Sequence, residues 1–131
     1  VAQVDRPRTK AQIMRRERSS TFKFEVLKKY ENKCVLSNLS VIEMLDGAHV
    51  IPVEKGGSDD VRNGLLLSAS IHRAFDAKLW AINPDTLRIE TRERGPSLEK
   101  MKITVDSLAG LKFIPHIDAI VHRYKIFKEA S

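Results

Sequence analysis

Four side chains that can move a proton or bind a metal ion lie close together in the sequence: His49, Asn63, His72 and Asp76. On a helix, positions four apart lie on one face with Cβ atoms about 5–6 Å apart, so His72 and Asp76 can share one cation. An imidazole nitrogen beside a carboxylate suits Mg²⁺ or Mn²⁺ and also accepts Zn²⁺ or Ni²⁺. Histidine is the usual general base near neutral pH, which makes His49 a candidate. Taken singly, the pair is more often a surface ion pair and a strand histidine more often structural.

The surrounding pattern predicts two strands and a helix that bring these residues together. "AHVIPV" is typical of a strand that ends near Pro52, and "EKGGSDDVRNG" of a turn-rich loop. "LLLS" predicts a second strand, and "SASIHRAFDAKLW" a helix with Ser68 or Ser70 near its N-cap. The base candidate therefore falls on a strand, and the candidate metal ligands fall on the helix.

Helical signals precede this unit. Thr9 and Gln12 have capping-box spacing at the start of "TKAQIMRRERSS", which predicts a short basic helix up to the serine pair. "TFKFEVLKKY" predicts a second helix, with a stripe of apolar residues at positions 22, 26, 27 and 30. Residues 34–45 favour short extended pieces or turns.

After the unit, "LWAI" and "TLRIETR" flank "NPD" and predict a hairpin. Residues 95–110 are irregular, with at most one further strand. The end of the chain predicts an amphipathic helix with an apolar face of Ile117, Ile120, Val121, Tyr124 and Phe127.

Length and composition favour one folded domain over residues 1–131. We divide it into a basic N-terminal arm (1–19), a core region (20–92) and a C-terminal extension (93–131). The lone Cys34 excludes an internal disulfide and a multi-cysteine zinc site. Without an apolar run in the first residues, we expect a cytoplasmic protein with no membrane partner. The start at Val1 is compatible with a piece of a longer chain that has further domains, and processing or trimming of the N-terminus would give the same start.

The net charge of +6 is concentrated at one end. Residues 1–30 contain nine Lys or Arg against three acidic residues, and the other residues are balanced. Such an excess suits contacts to nucleic-acid phosphates, and a solvated basic helix is the alternative of about equal weight.

The segment "AHVIPVEKGGSDDVRNGLLLSASIHRAFD" resembles the HNH nuclease motif in the form found in many bacterial restriction-type endonucleases. The shared pattern comprises A-H-[IV]-x-P, G-G, N-G-L-x-L and H-x-x-F-D. The likeness extends over residues 20–92 and loosely to the C-terminal helix. It implies an α+β fold: a ββα-metal core flanked by basic N-terminal helices, a following β-hairpin and a C-terminal amphipathic helix.

The resemblance also implies roles for the four residues and a reaction. His49 matches the general base, Asn63 the asparagine that ties the loop and helps hold the base, and His72 a metal ligand on the helix. Asp76 falls where many relatives have another ligand. The implied activity is hydrolysis of double-stranded DNA with one divalent ion, most simply Mg²⁺ or Mn²⁺. Basic residues placed to contact DNA are Arg15, Arg16, Arg18, Lys55, Arg62 and Arg73.

One departure concerns the residue before the base. Many HNH nucleases have a metal ligand there, and this chain has Ala48. Asp46 shares a strand face with Ala48 and would replace the ligand if the backbone bends at Gly47, the alternative being an ordinary turn aspartate.

Two other readings are a DNA-binding module that keeps the fold without activity, and a nuclease toxin neutralised by an acidic partner. Ala48 and the basic arm favour the binding module, whereas the complete set of four site residues favours an enzyme. A homodimer would provide the two sites that double-strand cleavage most simply needs.

Overall fold

The structure is a computed structural model that describes residues 7–130; residues 1–6 of the predicted arm and Ser131 lie outside the described residues. It combines three α-helices with two small antiparallel sheets, the predicted α+β fold. In chain order, the elements are α1 (Lys10–Lys29), β1 (Leu45–His49), β2 (Gly64–Ser68), α2 (Ala69–Asp76), β3 (Trp80–Ile82), β4 (Ile89–Thr91) and α3 (Ile117–Glu129). None of the helices in residues 7–130 is both long and apolar enough to cross a membrane.

The ββα unit consists of β1, β2 and α2. The register of the two strands runs from the Leu45–Ser68 pair to the His49–Gly64 pair, and α2 begins directly after β2 with Ser68 as its N-cap residue. β1 ends at His49, earlier than predicted. The chain instead turns through Pro52, which has no N–H to offer a ladder, into a short 3₁₀ turn at Val53–Lys55.

The N-terminal segment forms one helix, so the predicted break at the serine pair is wrong. The capping box at Thr9 and Gln12 is present, and the helix then continues through both serines. Serine costs little in an exposed helix, and no proline or glycine stops it. Positions 10–21 are exposed. Phe22, Val26 and the C-cap residue Tyr30 are buried in the core and Leu27 is partly buried against it, so all four predicted stripe positions face the core.

The rest of the core lies between the two sheets and the later helices. Phe75 and Trp80 stack with ring centroids 4.4 Å apart, and the indole N–H of Trp80 donates to the Ile71 carbonyl. The predicted hairpin is present as β3 and β4. Residues 95–110 contribute one isolated bridge, between Arg88 and Ser107, and no strand.

The C-terminal helix is present, but its buried face differs from the predicted one. Ile117 and Val121 are 45% and 48% exposed, so those two positions of the predicted stripe face solvent. The buried face consists of Ala119, Ile120, Arg123 and Phe127. A charged residue therefore occupies the centre of the face that packs on the domain.

Candidate active site

His72 lies between two carboxylates on opposite edges of its ring. Its Nδ1 is 2.9 Å from Oδ2 of Asp46 on β1, and its Nε2 is 3.2 Å from Oδ2 of Asp76, one helical turn later. The predicted i, i+4 pair is therefore formed. Asp46 reaches His72 without the bend that we expected at Gly47, because Gly47 stays paired with Leu66 in the ladder. A Cβ at Gly47 would lie 3.2 Å from the Cα of Lys23, so this glycine serves the close approach of α1.

Arg123 holds Asp76 from the other side. Its Nη2 donates to Oδ1 of Asp76 and to the Phe75 carbonyl, each at 3.0 Å, and its Nη1 donates to the Val50 carbonyl at 3.3 Å. The guanidinium also stacks 3.8 Å from the centroid of the Phe75 ring. Oδ1 of Asp76 is thus engaged by a buried cation, and Oδ2 is the oxygen beside His72.

Sequence reasoning missed Arg123 as a site residue. One signal could have indicated it: Arg123 lies three positions after Ile120 and four before Phe127, which is the spacing of a buried helix face. A buried arginine requires partners, so its position on that face predicts a carboxylate opposite.

The candidate base, His49, is held by a ring contact and a polar contact. Its imidazole stacks on Phe22 of α1 with centroids 3.9 Å apart and planes 8° apart. Its Nε2 lies 2.9 Å from Oδ1 of Asp59 in the loop between β1 and β2. The side chain is 21% exposed, so one part of the ring remains open to solvent. Asp59 was not among the predicted site residues.

Asn63 ties the loop between β1 and β2, as the resemblance implied. Its Oδ1 accepts from the Ile51 amide at 2.8 Å, and its Nδ2 donates to the carbonyls of Ile51 and Ser58 at 3.1 and 3.0 Å. All three bonds go to loop backbone, so Asn63 holds His49 through the chain that follows it. The side chain is buried, which makes these bonds costly to lose.

The base and the helix pair share one cleft. A cavity of about 530 Å³ is bordered by His49, His72, Asp76 and Arg123 together with Lys55 and Lys78. A second cavity of about 520 Å³ is bordered by Asp46, His72, Arg73 and Asp76. Both cavities include His72 and Asp76, whereas His49 borders the first and Asp46 the second.

This donor set fits a divalent ion that takes few protein ligands. Within residues 7–130, no group of three or more His, Cys, Asp or Glu side chains is arranged to hold a metal ion. The reason at His72 is geometric: Nδ1 and Nε2 point away from each other, so Asp46 and Asp76 do not converge on one point through the ring. The His72–Asp76 pair offers one nitrogen and one oxygen in an open cleft, and Mg²⁺ commonly keeps several waters in such sites.

The predicted DNA-contacting residues fall into separate places. Lys55 borders the cleft with His49, and Arg73 borders the cavity with Asp46. Arg62 pairs with Asp60 at 3.0 Å, and hydrogen bonds from Arg62 lower the pKa of Asp60 to about 2. Three arginines lie on the exposed part of α1, away from these contacts: Arg15, Arg16 and Arg18. Lys78, which also borders the cleft, was not predicted.

Two comparisons with known proteins found similar sequences or structures. Residues 34–83 match the sequence model of the HNH endonuclease family. Among solved structures, a modification-dependent TagI restriction endonuclease is similar, with a TM-score of 0.63 and 21% identity over 82% of this chain. The matched part is 37% of that structure's chain, so this chain spans well under half of its length. No match is found among curated proteins. The family match supports an HNH-family domain over residues 34–83 and a nuclease in general terms.

Proposed function

We propose that this domain hydrolyses phosphodiester bonds of double-stranded DNA with His49 as general base and one divalent ion, Mg²⁺ or Mn²⁺, bound beside His72 and Asp76. The observation that carries the proposal is the shared cleft, in which the imidazole of His49 and the His72–Asp76 pair border one cavity. A reacting phosphate there would be within reach of both a proton acceptor and a cation site.

Each residue of the site has a separate role in the proposed reaction. His49 accepts the proton of the attacking water, and the stack on Phe22 keeps its ring in place. Asn63 keeps the loop closed behind the base. When bound, a divalent ion neutralises charge on the phosphate and on the leaving 3′ oxygen. Arg123 fixes Asp76 so that Oδ2 faces His72, which presents a carboxylate oxygen and Nε2 on one side.

Asp46, expected as a substitute ligand for the position of Ala48, acts on the metal site through His72. Oδ2 of Asp46 contacts Nδ1 of His72. A hydrogen-bond acceptor at Nδ1 keeps the imidazole proton on that nitrogen, so the lone pair of Nε2 is available to bind the ion. The neighbouring cavity that Asp46 borders does not include His49, which favours the Nε2 side for the reaction.

DNA is held by the basic surface around the cleft and by α1. The exposed part of α1 carries Arg15, Arg16 and Arg18 away from the core, where they can follow a phosphate backbone. Lys55 and Arg73 border the two cavities on either side of His72. Arg62 contributes less, because Asp60 already pairs with its guanidinium. The similarity to a restriction enzyme is the basis for a restriction-type role.

Incubation with supercoiled plasmid tests the proposal. We expect cleavage with Mg²⁺ or Mn²⁺, none with EDTA, and none for His72→Ala with either metal. Nicked product would indicate single-strand cutting by a monomer, and linear product would indicate paired action of two copies. Plasmid that is bound and retarded but never cut by the wild-type protein would contradict the proposal in favour of a DNA-binding module.

A further inference from the structure

Asp59 is the acidic residue in contact with the candidate base, and neither the motif nor the family match gives it a role. Its Oδ1 lies 2.9 Å from Nε2 of His49. We infer that Asp59 is a positioning residue that accepts the Nε2 proton of His49 and so leaves Nδ1 free to act as the base. This inference rests on the proposed function and names the residue that prepares its base.

The loop is built so that Asp59 has little freedom to leave this position. On one side, the Ser58 carbonyl accepts from Asn63 Nδ2, and Ser58 Oγ accepts from the Asp60 amide at 2.9 Å. On the other side, Asp60 caps the following 3₁₀ turn by accepting from the Arg62 amide at 2.8 Å. Both neighbours of Asp59 are therefore held, and the backbone between them directs its side chain at His49.

Gly57 sets the entry of the same loop. Its amide donates to the Pro52 carbonyl at 2.9 Å, and a Cβ built on it would overlap the carbonyl oxygen of Ile51. The chain at Gly57 thus passes too close to the backbone of Ile51 and Pro52 for any larger residue. This close approach explains Gly57, whereas Gly56 ends the preceding 3₁₀ turn in the left-handed conformation, with φ 87°.

The chemistry gives the contact a purpose. A neutral imidazole carries one N–H, and a carboxylate at Nε2 places that proton on Nε2. The oxygen of the attacking water then forms the new bond to phosphorus, its proton goes to Nδ1, and the bond from phosphorus to the 3′ oxygen breaks, with the leaving oxygen taking a proton from solvent. His49 becomes a cation in this step, and the Asp59 carboxylate stabilises it.

The stack on Phe22 makes the inference more specific. A ring that is parallel to Phe22 within 8° can still flip by 180° about its Cβ–Cγ bond, which would exchange Nδ1 with Cδ2 and Nε2 with Cε1. The contact of Asp59 with Nε2 selects one of these two orientations. Phe22 therefore restrains the plane of the ring, and Asp59 restrains both its flip and the position of its proton.

The direct test is ¹⁵N NMR of the imidazole of His49 in the metal-free protein, combined with single-turnover plasmid cleavage. We expect the Nε2–H tautomer in the wild type and a mixture of tautomers in Asp59→Ala. Asp59→Asn keeps an acceptor oxygen, so it should restore the tautomer but not the charge. In cleavage, Asp59→Ala should lower the single-turnover rate constant at saturating enzyme about 10–100-fold with little change in the enzyme concentration that gives half the maximal rate. This loss is less than that for a buried triad aspartate, because Asp59 is 45% exposed.

Asp85→Ala is the matched control. It removes an exposed carboxylate in the turn between β3 and β4, outside the loop that carries Asp59, so it should leave the tautomer unchanged while thermal unfolding reports the fold of each variant. If the wild type is active and Asp59→Ala has the same tautomer and the same cleavage rate, the role of Asp59 is overturned but the proposed function is not. If the wild-type protein fails to cut DNA with every metal ion tested, the proposed function is overturned, whatever the tautomer of His49.

Discussion

Replacing Arg123 should weaken both the fold and the metal site. The guanidinium makes two hydrogen bonds to backbone carbonyls and one to Asp76, and it stacks on Phe75. Hydrogen bonds from a charged group contribute about 1.5–3 kcal/mol each, and a desolvated cation–π contact about 1–2 kcal/mol. Asp76 is 59% exposed, so screening reduces its ion pair to about 1 kcal/mol or less.

Because these bonds share one cation, they do not add in full, and we expect Arg123→Met to lower the free energy of unfolding by about 3–4 kcal/mol. Arg123→Lys keeps the charge but loses the planar fork, so about 2 kcal/mol is expected. Without its partner at Oδ1, Asp76 is no longer oriented, and the affinity for Mn²⁺ should fall about 10–100-fold in both variants.

Urea unfolding of the metal-free protein measures the first effect, and calorimetric titration with Mn²⁺ measures the second. Arg88→Met is the matched control: Arg88 is 65% exposed and pairs with Asp106, so its loss should cost within about 0.5 kcal/mol. If Arg123→Met unfolds at the same urea concentration as Arg88→Met and binds Mn²⁺ like the wild type, the assigned role of Arg123 is refuted.

Three further predictions concern other parts of the molecule. Asp46→Asn should keep most of the Mn²⁺ affinity because an amide oxygen still accepts from Nδ1, whereas Asp46→Ala should lose about 10-fold or more; equal losses in the two variants would indicate a direct carboxylate ligand instead. Arg62→Gln should raise the pKa of Asp60 from about 2 toward its usual 3.8 in an NMR titration. Since the folded pKa is the lower one, the pair stabilises the fold above about pH 4 and loses this effect as the pH falls through about 2. Replacing three exposed arginines of α1, Arg15, Arg16 and Arg18, by Gln should weaken DNA binding. It should also reduce the magnitude of the slope of log K against log salt concentration by up to about 3. An unchanged slope would show that α1 is not part of the DNA interface.

The ββα unit and the hairpin could be predicted because their signals are local. Alternating and apolar runs, Pro52 and the N-cap at Ser68 each act over a few residues. The i, i+4 spacing of His72 and Asp76 likewise predicts a contact within one helix. The continuity of α1 was missed because a serine pair is only a weak stop signal, and its exposed half has no packing that would mark it.

The partners of the site residues could not be predicted in this way. Arg123 reaches Asp76 across 47 positions of sequence, and only the docking of α3 brings them together. Asp59 meets His49 because the loop folds back on hydrogen bonds of Asn63 and Ser58. The distribution of Asp46 and Asp76 over two edges of one ring depends on side-chain orientation, which spacing along the chain does not determine.

In the proposed reaction, His49 takes the proton of the attacking water and binds neither the metal ion nor the DNA. Single-turnover cleavage of plasmid by His49→Ala, with Mn²⁺ and DNA affinities measured on the same preparation, tests it most directly. His122→Ala, an exposed histidine on α3, is the control. We predict a loss of cleavage by about 10²–10⁴-fold with both affinities unchanged, since that is the contribution of a general base. Loss of Mn²⁺ affinity in His49→Ala would show that His49 is a metal ligand, and cleavage at the rate of His122→Ala would show that it is not the general base.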